Sequence, residues 1–175
     1  EIVRLAKQVC QSGGVTKKEV KAVGIGLPGQ VNNKTGVVVR TPNMPFQNTP
    51  VRQLFQQQWD MPVFLGNDAD CAAIGEYRSG AAKGCSPAVT VTLGTGIGSG
   101  MVSGGKLFTG FANSGMETGH TIIYPGGVPC TCGNRGCWER YAATTALVRA
   151  AQEKDPAWKD GRAIFTAAEA GSETV

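Results

Sequence analysis

In 175 residues there is one histidine, His120. A histidine-rich metal array or a relay of imidazoles is excluded, so any imidazole chemistry falls to that side chain. Charge is also sparse, at 17% Asp, Glu, Lys and Arg, below the ~25% of an ordinary soluble domain. With 41% apolar residues the chain can bury a core, which excludes extended disorder. The formal net charge is +4 and the basic residues are scattered, leaving no stripe to track a nucleic acid. No long apolar run occurs. The longest uncharged stretch, Gly84 to Gly105, is rich in Gly, Ser and Thr and holds Pro87, too polar for a membrane span. The opening residues do not have the pattern of a leader segment, and none is expected. Its first residue is Glu1, and EIVRLAKQVCQ reads as the middle of something, so a piece of a longer protein is expected.

Glycine is abundant, 25 residues or about twice the usual share, and it clusters. Apolar spacing predicts a helix over Glu1–Gln11, ended by Gly13-Gly14. Strands are predicted at Val23–Leu27, Val37–Val39 and Val63–Leu65. Thr49-Pro50 predicts an N-cap and first-turn proline for a helix through Gln58. A helix is predicted over Asp68–Ser79, a buried strand at Ala88–Leu93, and helices at Trp138–Gln152 and Ala163–Ala170. The order of elements argues for α/β layers. A boundary is placed near Ala82–Pro87, dividing the chain into units 1–84 and 85–175. Trp59, Trp158 and the tail from Gly161 carry no functional signal.

The string GHTIIYPGGVPCTCGNRGC offers His120, Cys130, Cys132 and Cys137. The lack of a leader favours a reducing cytoplasm, where such a cluster more often binds metal than forms disulfides. Three thiolates and an imidazole close a zinc tetrahedron with no position open to water, so the zinc is expected to be structural. Gly133 and Gly136 permit the tight turn between ligands. The alternative is an inert cysteine loop beside a hydrogen-bonded histidine.

VTVTLGTGIGSGMV runs a β-branched strand into Gly94, Thr95, Gly96 and Gly98. Closely spaced glycines let backbone N–H groups approach a phosphate. No Gly-Lys-Ser/Thr follows, so this is no P-loop, and a plain glycine hairpin is the alternative. GNDAD sets Asn67 and Asp68 between a strand end and a helix start, where α/β folds gather ligands. Asp68 is a candidate base and Asn67 a candidate for orienting the attacking hydroxyl; otherwise Asp68 only caps its helix. In ETGH, Glu117 and His120 face one way if the segment takes a helical turn.

Together and in this order, GIGLPGQVN, TPNMP, GNDADCAA, TLGTGIGSG, ETGH and CTCGNRGCWERYA resemble the ROK family of bacterial sugar kinases and sugar-responsive repressors. The matching stretches run from Val23 to Ala143. The resemblance implies an actin-like, hexokinase-type (ribonuclease H-like) α/β fold of two lobes, with 1–84 in the smaller and 85–175 in the larger. It implies phosphoryl transfer from ATP with Mg2+ to the 6-hydroxyl of a hexose, glucose being the expected sugar. Asp68 is then the base, and Gly29, Asn43, Asn67, Glu117 and His120 contact the sugar. Gly94–Gly98 is the second phosphate loop, and His120 joins the three cysteines on zinc. Partners implied are the hexose and the nucleotide, with no membrane, no nucleic acid from this chain, and a homo-oligomer (dimer or tetramer). A sugar-sensing repressor with its DNA-binding part outside this chain is the alternative, and a zinc-ribbon binding module a third reading. The sequence departs from the family at Gly66, where many of its kinases carry Glu, and at Thr131, where some glucokinases carry Glu. The family's first phosphate loop, DxGGT, is absent from the chain, which by itself is therefore expected to be inactive or nearly so.

Overall fold

A computed structural model describes residues 1–171. Its elements are α1 (Ile2–Ser12), β1 (Val23–Leu27), β2 (Gln30–Asn32), β3 (Val37–Arg40), β4 (Gln47–Thr49), α2 (Val51–Gln56), β5 (Val63–Asn67) and α3 (Asp68–Ser79). Beyond these lie β6 (Ala88–Leu93), β7 (Ile97–Ser103), β8 (Lys106–Leu107), α4 (Glu139–Ala142), α5 (Thr144–Lys154) and α6 (Gly161–Glu169). β1 and β5 pair in parallel, Val23 opposite Val63 and Leu27 opposite Asn67. Parallel strands need a crossover, and here it holds the antiparallel sheet β2-β3-β4 and helix α2. Val3 of α1, Val38, Val51, Phe55, Trp59 and Leu65 form one buried core across these elements. The rings of Phe55 and Trp59 stack with centroids 6.0 Å apart.

Helix α3 joins this half to the antiparallel sheet β6-β7-β8, packing on β5 and also on β6 and β7. Its approach to β7 is close because both surfaces are bare. A Cβ at Gly98 would stand 2.9 Å from Ala69 Cβ, and one at Gly100 would stand 2.6 Å from Ala73 Cβ. Both are nearer than packed carbons tolerate.

Several expectations are corrected. Ala88–Leu93 forms the strand but is not buried, since Val89, Val91 and Leu93 lie on a face that no described element covers, at 55%, 41% and 67% exposure. Thr49 does not cap α2. Its hydroxyl is used within β4, accepting from Gln47 N–H at 3.2 Å, and Pro50 holds the cap position with no side-chain bond. The helix expected over Trp138–Gln152 breaks at Ala143, whose ψ of 162° is extended. There the N–H of Thr144 donates to Gly94 O at 2.9 Å, and Ala143 is buried. The short strands β2, β4 and β8 were not foreseen. The final residues of the expected second unit, 172–175, lie outside the described residues.

Candidate functional site

The four expected metal ligands come together. One ligand atom from each of His120, Cys130, Cys132 and Cys137 lies within 4.8 Å of all the others. Cys130 Sγ is 3.6 Å from His120 Nδ1, and Cys132 Sγ is 3.6 Å from Cys137 Sγ. Thiolates on tetrahedral zinc at about 2.3 Å stand roughly 3.8 Å apart, so the donor set and its spacing fit that ion. The backbone explains the convergence. Gly133 and Gly136 take φ of +95° and +86°, left-handed values that glycine adopts without strain. A Cβ on Gly136 would also strike Tyr124 O. Cys137 is fully buried and Cys132 exposed. Burial, with the neighbouring thiols, pushes the Cys137 thiol up to about 12, while the Asn134 backbone N–H lowers that of Cys132. A divalent cation supplies the charge that lets a buried thiol give up its proton.

Glu117, Thr118 and His120 dock onto β7. Thr118–His120 is a single 3₁₀ turn entered from Glu117, with His120 N–H donating to Glu117 O at 3.0 Å. The segment thus takes the single turn on which the expectation for Glu117 and His120 depends. Gly119 lets the turn press on the strand, because a Cβ there would overlap Ile97 O. Ser99, a buried polar residue of β7, donates its hydroxyl to Met116 O and lies 2.7 Å from Thr118 Oγ1.

On the other side of β7, the start of α3 presents Asp68 and Asp70. Asp70 is half-buried, and its carboxyl is pushed up to about 6, first by burial and then by the charges of Glu117 and Asp68. Glu117 and Asp68 therefore both lie within electrostatic reach of Asp70. Asp68 itself is exposed and is not the helix cap. The cap is Asn67, whose Oδ1 accepts from Ala69 N–H at 2.9 Å and Asp70 N–H at 3.1 Å. Its Nδ2 donates to Gly29 O at 3.0 Å, which leaves one N–H of the amide free among the described residues. Gly29 has φ +85°, and a Cβ there would meet Arg40 O at 2.3 Å and Thr41 Cα at 2.9 Å. Asn43 follows in an exposed loop braced by Thr41 Oγ1 donating to Met44 O at 2.6 Å. Asn67, Gly29 and the base of the Asn43 loop thus form one contact series. Gly66, the departure noted in sequence, lies under α3: a Cβ there would stand 2.9 Å from Cys71 Sγ.

The glycine turn connects β6 to β7, and Gly94 N–H donates to Gly96 O at 3.0 Å. Besides the bond from Thr144, Thr145 Oγ1 donates to Thr95 O at 2.9 Å. Gly94 and Thr95 edge a cavity of about 540 Å³, bordered by Thr145, Arg149, Lys159 and Asp160. The turn is therefore fixed to the start of α5 and opens on a cavity carrying two cations. Sequence reasoning missed Glu139. Its Oε1 lies 3.4 Å from Cys130 Sγ and 3.8 Å from His120 Nδ1, and its Oε2 accepts from Ile97 N–H at 3.4 Å. The signal was present: an acid two residues past the last cysteine, at a helix start.

The chain matches the ROK family over residues 4–175. It is similar to a glucokinase of Streptomyces coelicolor, 41% identical over 136 residues, covering 78% of this chain and 43% of that protein. It is also similar to a xylose repressor of Caldicellulosiruptor bescii, 38% identical over 133 residues, covering 76% of this chain and 33% of the repressor. A solved structure of a ROK family glucokinase from Streptomyces griseus, in complex with glucose and AMPPNP, superposes with a TM-score of 0.85 at 35% identity. That match covers 99% of this chain and 61% of the other. The chain thus spans less than half the length of these curated relatives. The α/β fold is the actin-like fold of sugar kinases, and the chain belongs to the ROK family.

Proposed function

We infer that this chain is the central part of an ATP-dependent hexose kinase, with glucose as its sugar, and that units 1–84 and 85–175 belong to its smaller and larger lobes. The observation that carries the reading is the gathering of carboxyls around β7, with Asp68 and Asp70 on one side and Glu117 beside the metal ligands on the other. Likeness to glucokinases supports the substrate class. Asp68, exposed at the helix start, takes the proton from the sugar 6-hydroxyl. The oxygen then bonds to the γ-phosphorus as the bond to the β–γ bridging oxygen breaks, and ADP leaves with Mg2+. Gly29, Asn43, Asn67, Glu117 and His120 hold the sugar, Asn67 through its one free N–H. The turn of Gly94, Thr95, Gly96 and Gly98 meets the donor phosphates, where positioning and charge stabilisation carry most of the rate. His120, Cys130, Cys132 and Cys137 would hold a structural zinc, whose charge would fix the ring of His120 beside the sugar. Similarity to a xylose repressor favours a second reading, in which the same pocket senses a sugar without catalysis.

The test is a panel of hexoses with ATP and Mg2+ on the whole protein, read as ADP release, together with Asp68→Asn. The kinase reading expects turnover with glucose, a loss of roughly 10²–10⁴-fold or more on substitution, and sugar binding retained. Sugar binding with no ADP release by the unaltered protein refutes catalysis and leaves the repressor reading standing.

A further inference from the structure

We propose that Glu139 is a positioning residue that couples the metal clamp to the glycine turn, so that the shape of the turn and occupancy of the clamp depend on each other. The inference rests on the reading above only in taking the clamp to hold a divalent cation and the turn to meet phosphates.

The carboxylate touches both the clamp and the glycine turn. One oxygen faces Cys130 Sγ at 3.4 Å and His120 Nδ1 at 3.8 Å. The other accepts the Ile97 N–H at 3.4 Å, and a Cβ built on Gly96 would come within 2.7 Å of it. The Glu139 side chain is only 17% exposed, so it has little room to swing aside. Its backbone is fixed at the start of α4, two residues after Cys137. Neither can the turn retreat easily. Thr144 N–H holds Gly94 O and Thr145 Oγ1 holds Thr95 O, each at 2.9 Å. On the far side, Gly119 lies against Ile97 O. A group pushed in at position 96 is therefore passed to the carboxylate, and from it to a thiolate and the imidazole. By reciprocity, whatever a cation does to seat those two ligands returns to the amide of Ile97.

The position of the contact suggests what the coupling serves. Glu139 touches the turn at Gly96 and Ile97, between residues given to phosphate binding. It touches the clamp at the histidine given to sugar binding. An ordered clamp thereby stiffens the donor side of the site as well as the acceptor side.

The test is a double-mutant cycle on metal affinity with the whole protein. Cobalt(II) is the probe, read by its thiolate charge-transfer absorbance and by competition with a chromophoric chelator. Gly96 does not adopt a left-handed φ, so alanine there adds a methyl group without backbone strain. Gly96→Ala is expected to weaken cobalt binding about tenfold, the size of effect found when groups behind metal ligands are disturbed. In a Glu139→Ala background the same substitution is expected to change nothing, because the methyl has no carboxylate to press. Gly94→Ala is the control for the turn itself, since a Cβ there meets nothing within 4 Å, and is expected to leave affinity unaltered. The coupling is overturned if Gly96→Ala binds cobalt like the parent, if its deficit persists without Glu139, or if Gly94→Ala shows the same deficit. One cobalt per chain with a thiolate band in every variant shows that the clamp still folds. A parent chain that takes up no cobalt overturns the clamp reading, and the coupling with it.

Discussion

Asp70→Asn should make the protein more stable at neutral pH. The Asp70 carboxyl sits half-buried near Glu117 and Asp68 and is pushed up from 3.8 to about 6. Because its folded value lies above its unfolded one, the folded state binds the proton more tightly. Stability is then highest below about 4 and is lost as pH rises toward 6, the reverse of a salt-bridged acid. At full strength the gap corresponds to about 3 kcal/mol. Solvent at a half-exposed carboxylate roughly halves it. A negative charge in the first turn of α3 returns ~0.3–1 kcal/mol through the helix dipole. A net gain of about 1 kcal/mol remains for the asparagine variant above pH 7, fading to nothing near pH 4. Urea melts of both proteins at pH 4, 5, 6 and 7.5, compared by midpoint at constant slope, give the difference directly. An asparagine variant no more stable than the parent at pH 7.5 would refute the carboxyl cluster. So would a gain that stays constant with pH.

Stripping the metal should lower the melting temperature. An ion present at a hundredfold above its dissociation constant contributes about 2.7 kcal/mol. That is worth roughly 5–10 °C in a chain of this length. Differential scanning before and after dialysis against a chelator measures it, and an unchanged melt argues against the clamp. Asn67→Ala removes the acceptor of two helix N–H groups and the tie to Gly29 O, and should cost ~1–2 kcal/mol. Asn67→Asp keeps the cap and should cost less. Urea midpoints separate the two, and equal losses would show that the cap contributes nothing.

Local patterns carried much of this architecture. Asp68–Ser79 and Ala88–Leu93 have the bounds that the sequence suggested, because their signals are local: two acids and an asparagine at a helix start, and a β-branched run ended by glycine. The gathering of His120, Cys130, Cys132 and Cys137 was legible because an imidazole and three thiols within eighteen residues match the ligand types of a zinc site. What escaped depends on distant partners. β2 and β4 are three-residue strands that exist by pairing with β3. The break at Ala143 exists because the Thr144 N–H is claimed by Gly94, fifty residues earlier. The exposed face of β6 shows the converse: Val89, Val91 and Leu93 read as buried because hydrophobicity alone does not say whether a covering layer exists. Glu139 was passed over for the same reason, since its neighbours at Gly96 and Ile97 are remote in the chain.

Where α3 meets β7, the closest approach is made by hydrogens and methyls: Gly98 on Ala69, Gly100 on Ala73. With no long side chain at these two points to rotate or slip, helix and strand should move as one block. Asp68 and the turn ahead of Gly98 are mounted on that block and must travel together. Any clamshell motion of this molecule therefore has to hinge outside the seam. A single methyl added at Gly100 would act as a wedge, pushing the start of α3 with Asp68 away from the strand that follows the glycine turn.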